Sequence, residues 1–112
     1  MSANDTVSRE ANTWQQGRGP IRHREATIAR VQQCVQALGQ RGVIQPAPAY
    51  ALFAAADALC CAAMNVVAHM SYALRIDLSG APLGSEDFKP APEGHMGGAL
   101  NMVPAFVGYL LA

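Results

Sequence analysis

Charge is scarce in this chain of 112 residues: only 14% of positions are Asp, Glu, Lys or Arg, and eight acidic residues balance eight basic ones. A formal charge of zero leaves no global field with which to wrap nucleic acid or coat an anionic membrane, so neither partner is expected. Cysteine is equally sparse. Cys34, Cys60 and Cys61 are an odd set without a C-x-x-C spacing, and a bridge between adjacent Cys60 and Cys61 would be strained. This excludes a disulfide scaffold and suits a reducing, cytoplasmic setting. Residues 1–16 lack the short apolar core of a secretion signal, and export is not expected. There is a single Trp, and neither Gly nor Pro interrupts residues 49–76.

Apolar residues, in contrast, make up 51% of the chain, too many for intrinsic disorder. They are unevenly placed. Residues 1–19 are polar, contain two glycines and read as a mobile arm whose Trp14 docks on the body of the protein or on a neighbouring subunit. From Pro20, a first-turn residue by type, Ile28, Val31, Val35 and Leu38 recur at helical spacing until Gly39, which predicts an amphipathic helix over 20–38. Cys34 is read as a small core residue on its apolar side. Arg18, Arg22, Arg24, Arg30 and Arg41 against Glu25 concentrate positive charge in this region. Asp77, Glu86, Asp87 and Glu93 against Lys89 make residues 76–93 acidic. Both patches are read as solvated faces.

The uninterrupted segment 49–76 predicts a helix of ~42 Å at 1.5 Å per residue. Its apolar residues surround the axis, as in a buried helix, while Asp57, Cys61, Asn65 and His69 form a slanting polar seam. Such a length also spans a bilayer, but Asp, Asn and His inside it raise the insertion cost, the Asp by ~2.5–3.5 kcal/mol near the centre. Adjacent cysteines diverge by ~100° on a helix, so Cys60, Cys61 and His69 make a poor metal set and no metal ligands are assigned. Hydrogen bonds from Asp57, Asn65 and His69 to neighbouring elements are expected instead. Residues 77–98, with three prolines and five glycines, are a long loop that Leu78, Leu83 and Phe88 can pin. A third helix is expected over 101–112, with Pro104 in its first turn. Nothing caps that helix at its end, which suggests a chain that continues beyond Ala112.

Glu93-Gly94-His95-Met96-Gly97-Gly98 precedes this helix, placing a titratable ring among glycines at a helix N-terminus, where N–H groups and positive potential favour an anion. Gly94-His95-Met96-Gly97 followed by Met102 resembles the G-H-x-G segment near the N-terminus of transketolase-type thiamine-diphosphate enzymes. Ala62-Ala63-Met64 in the preceding helix and the apolar helix that follows add to the likeness. Residues 77–112 are similar to a transketolase/phosphoketolase relative sometimes labelled xylulose-5-phosphate 3-epimerase. The likeness is clearest over residues 50–112 and does not extend to residues 1–45.

The resemblance implies that residues 20–112 are part of the N-terminal cofactor-binding domain of a larger α/β enzyme. His95 would be the catalytic residue beside thiamine diphosphate, hydrogen-bonding substrate oxygen or cofactor phosphate, and Gly94 and Gly97 would allow close approach. The implied chemistry is ylid attack on a ketose phosphate such as xylulose 5-phosphate, followed by carbon–carbon cleavage, in a homo-oligomer with magnesium. Two departures stand out. Met96 replaces the Pro usual in transketolases and the Trp of phosphoketolases, and no Gly-Asp-Gly, the start of the family's magnesium-binding motif, occurs here. The 112 residues alone are therefore expected to be mainly α, with about three helices and a long Gly/Pro-rich loop, and to be inactive by themselves. The competing reading is a small helical protein that binds a partner through its apolar third helix.

Overall fold

The computed structural model describes every residue except Met1, Leu78, Gly80 and His95. It is mainly helical, with α1 (Ala3–Gln15), α2 (Glu25–Gln40), α3 (Pro46–Tyr72), a short 3-10 turn (Ser85–Asp87) and α4 (Met96–Leu111). The chain divides into two compact units, Met1–Cys61 and Ala62–Ala112.

The first correction concerns the arm. Residues 3–15 form α1, started by a reciprocal cap in which Ser2 Oγ accepts the Asp5 N–H at 3.1 Å and Asp5 Oδ2 accepts the Ser2 N–H at 3.3 Å. Val7, Ala11 and Trp14 are spaced four and three apart, so they share one face, and Ala11 and Trp14 are buried. The arm is thus a polar helix with one narrow apolar stripe. Trp14 docks within the same unit: its ring lies 5.8 Å from those of Tyr50 and Phe53, which meet each other edge-on at 6.0 Å. Val35 completes the buried set, with Val7, Ile28, Val31, Ile44 and Ala54 packed against it.

Helix α2 starts at Glu25 rather than Pro20. Arg18 and Ile21 exchange both backbone hydrogen bonds (3.0 and 2.9 Å), which closes a turn between Gly17 (φ +74°) and Gly19 (φ +55°) and diverts Ile21 N–H from any helix. Cys34 is exposed, contrary to its assignment to the core, because the buried side of α2 runs through Val35 and Cys34 is offset from it by ~100° around the axis.

Helix α3 begins three residues before the expected Ala49, since Pro46 and Pro48 fall in a first turn, where a missing N–H goes unnoticed. It ends at Tyr72, short of Ile76, because the next residues leave the axis to pair with the loop: Ala73 bridges Phe88, and Leu74 N–H donates to Asp87 O at 2.7 Å. By length and composition α3 could cross a membrane, and only 6% of its most apolar window is buried, so it is not the enclosed core helix its composition suggested. Helix α4 starts at Met96, five residues before Asn101, and Pro104 lies inside it rather than in its first turn. Val103 and Val107 are buried, while Met102, Phe106, Tyr109 and Leu110 are more than half exposed.

Because Trp14 is the largest buried side chain of the first unit, Trp14→Ala is expected to cost about 3–5 kcal/mol. Denaturant unfolding followed by far-ultraviolet circular dichroism measures it. A loss below about 1 kcal/mol would mean that α1 does not hold the unit together.

Candidate functional site

In the second unit the segment 71–75, at the end of α3, fixes the loop that leads to the Gly-rich motif. Lys89 N–H donates to Tyr72 O (2.8 Å) and Glu93 N–H to Ser71 O (2.9 Å), so residues 87–93 run beside the end of α3 in a set register. Lys89 Nζ donates to Met70 O at 2.8 Å, giving a partner to a carbonyl that the ending helix leaves free, and it lies 3.7 Å from Glu93 Oε2. Arg75 grips Asp87 with two parallel bonds, Nε to Oδ1 at 2.9 Å and Nη2 to Oδ2 at 3.1 Å. Asp87 Oδ2 also accepts the Gly84 N–H at 3.0 Å. The guanidinium, helped by that N–H, holds the Asp87 carboxyl below the usual carboxylate range, and Asp87 in turn raises Arg75. Asp77 is lowered too, first by the hydroxyl and N–H of Ser79 and then by Arg75 at 3.6 Å. The acidic patch is therefore partly neutralised from within by Arg75 and Lys89, rather than being a simple solvated face.

This register delivers Gly94 to the start of α4. Its φ of +88° is a left-handed conformation that glycine adopts without strain, and a Cβ there would lie 4.0 Å from Ser71 Oγ. Gly97 lies in the first turn of α4, and a Cβ added to it would meet nothing within 4 Å. A groove of about 380 Å³ opens here, lined by Ser71, Lys89, Glu93, Gly94 and Met96 with Val67, Met70 and Ala99. Ser71 is buried, and the Lys89 side chain is mostly so. The structure thus brings Gly94 and Gly97 together at one helix N-terminus beside a hydroxyl, an ammonium and a carboxylate. His95, the residue expected to be catalytic, lies outside the described residues.

Sequence reasoning did not find Ser71 or Lys89. Lys89 was counted only as a charge, and the signal for its role, a Lys about one loop length after the end of an apolar helix, is too generic to single it out. His23 was also missed. Its Nε2–H donates to Asp57 Oδ2 at 2.6 Å, joining the turn before α2 to α3, with both side chains mostly buried. Asp57 thus finds the neighbouring element expected of it. His69 does not: its Nδ1–H donates to Asn65 O of its own helix at 2.7 Å. Cys60 is buried, and burial together with nearby Asp57 pushes its thiol up, away from thiolate chemistry. Among the described residues, no three His, Cys, Asp or Glu side chains are grouped to hold a metal ion.

No family model, curated protein or solved structure matches the chain.

Two outcomes test the site's construction. Gly94→Ala, which forces a side chain into a left-handed conformation, is expected to cost roughly 1–2 kcal/mol and to weaken amide protection at the start of α4. Unchanged protection in hydrogen exchange contradicts the strained turn. The depressed folded values of Asp87 and Asp77 mean that their contribution is present above the ordinary carboxylate range and lost as pH falls through the folded values. Amide protection of Leu74 and Lys89 should therefore drop on acidification. Arg75→Gln should lower it already at neutral pH, and a variant that keeps wild-type protection across the titration contradicts the clamp.

Proposed function

We propose that this chain is the N-terminal part of a thiamine-diphosphate-dependent enzyme of the transketolase and phosphoketolase type, acting on ketose phosphates such as xylulose 5-phosphate. The observation that carries this reading is the Gly94–Gly97 segment. It combines the G-H-x-G resemblance with a position at the N-terminus of α4, a left-handed Gly94 and open space over Gly97. These residues fit the phosphate end of such a cofactor: free N–H groups of the first turn of α4, a glycine without a blocking side chain, and His95 between them in sequence. The cofactor, when bound, supplies the electron sink for carbon–carbon cleavage. Gly94 and Gly97 would let phosphate oxygens approach the backbone, and His95 would hydrogen-bond substrate or phosphate oxygen.

The magnesium-binding motif of that family, which begins Gly-Asp-Gly, is not part of these 112 residues. Reaction is accordingly assigned to a longer α/β protein and not to this stretch by itself. The apolar faces of α3 and α4 support the same reading, since the remainder of such a domain, in a cytoplasmic homo-oligomer, would cover them.

A second reading is favoured by one specific observation, the row Met102, Phe106, Tyr109 and Leu110 on the exposed side of α4. A helix face of this kind also suits a small interaction protein whose partner lays an apolar groove over it.

The test is kinetic. In the protein expressed from its own gene, His95→Ala is expected to lower turnover of xylulose 5-phosphate with thiamine diphosphate and magnesium by about a hundredfold or more while leaving the circular dichroism spectrum intact. Wild-type protein without activity on ketose phosphates, or a His95→Ala variant with unchanged kinetics, overturns the assignment. The 112 residues alone should associate in sedimentation velocity, and a clean monomer would show that the face of α4 needs no cover.

A further inference from the structure

We propose that His23 and Asp57 form a proton-operated latch that holds α1 against the first unit, tight when His23 is doubly protonated and looser when it is neutral. The geometry places three groups in series. The Asp57 carboxylate on α3 accepts the His23 N–H at 2.6 Å, and the His23 ring lies 5.0 Å from that of Trp14, tilted by 32°. Trp14 is in turn the main anchor of α1, only 4% exposed. His23 is attached to α1 through residues 16–22, whose fold is tied by the Arg18–Ile21 pair and by Arg22 Nη1 donating to Gln16 O and Ile21 O. Loss of the bond to Asp57 therefore releases both the ring under the indole and the turn that aims the helix.

The proton dependence follows from the donor. Asp57 can only accept, so Nε2 carries hydrogen in either state of His23, and the bond survives deprotonation. It changes from an ion pair in a mostly buried place to a hydrogen bond from a neutral ring to a carboxylate, which keeps the hydrogen bond but loses the attraction between two opposite charges. Asp57 is the acidic group that faces His23 from α3. Tyr50 and Cys60, on the same helix, are both pushed up by burial, further from the neutral range, and Cys60 also by nearby Asp57. From α1 the ring meets Trp14, which does not titrate, and on its own segment Arg22 is turned toward backbone carbonyls. Rising pH thus weakens the latch, and neither Tyr50 nor Cys60 compensates.

Trp14 is the sole Trp in the sequence, so its fluorescence reads the latch directly. The 112-residue chain is scanned from about pH 5 to about pH 9, following the emission maximum and the rate of tryptic cleavage after Arg18, Arg22 and Arg24. The latch predicts a red shift with rising pH and cleavage roughly five- to tenfold faster at the alkaline end, after correction for the protease's own pH profile. Asp57→Asn should remove most of both changes and hold the emission near its alkaline position. His23→Gln, which keeps a neutral donor, should do the same and serves if Asp57→Asn does not fold. A wild-type emission maximum and cleavage rate that stay constant across the scan overturn the proposal. So does a folded variant that follows the wild-type curve, which would place the transition outside the His23–Asp57 pair.

Discussion

Helix α3 carries apolar residues all round its axis, broken only by the seam of Asp57, Cys61, Asn65 and His69, and this creates a problem in water that the rest of the chain answers in part. A helix with one apolar stripe needs one partner; a helix without a polar face needs cover all round. In the first unit α2 and the narrow stripe of α1 supply part of that cover, with Trp14 filling the space over Tyr50 and Phe53. In the second unit the end of α3 is capped and flanked by the loop through Lys89 and Glu93. The cover is incomplete: Leu52, Leu59, Val66 and Met70 along α3 are still exposed by two-fifths or more. Surface of this kind is normal for an interface and unusual for a free face.

The helical character of residues 25–38, 49–72 and 101–111 was legible because each carries a run of helix-forming apolar residues, although Pro104, expected in a first turn, lies inside α4. Boundaries were less so, and each shift has a local cause. Pro20 looked like a helix start but belongs to a turn set by glycines at 17 and 19. Ala73 and Leu74 read as helix but are drawn out by a loop partner fourteen or so residues away, which no local pattern announces. Helix α1 is only faintly written in the sequence: Ser2 and Asp5 have cap spacing, and Val7, Ala11 and Trp14 have face spacing, but three apolar residues among polar ones weigh little in composition.

The candidate site shows the same division. Glycines at 94 and 97 were visible as a motif, and the structure adds why the first must be glycine, namely its positive φ at the entrance to α4. The groove beside them was not visible, because Ser71 and Lys89 reach it through the register between the loop and the end of α3. Ion pairs across such registers are set by tertiary placement. Arg75 and Asp87, twelve residues apart, are neither helix neighbours nor a turn pair, yet their two parallel bonds fix the approach to the motif.

The proposed assignment makes these residues a portion of a larger thiamine-diphosphate enzyme whose remaining structure would cover α3 and α4. The most direct measurement is the intact mass of the native protein, captured from its source cells with an antibody raised against residues 1–19. The account predicts a mass several times the 11.8 kDa of these 112 residues. A native mass near 11.8 kDa would contradict it and leave an interaction protein whose partner lies over α4.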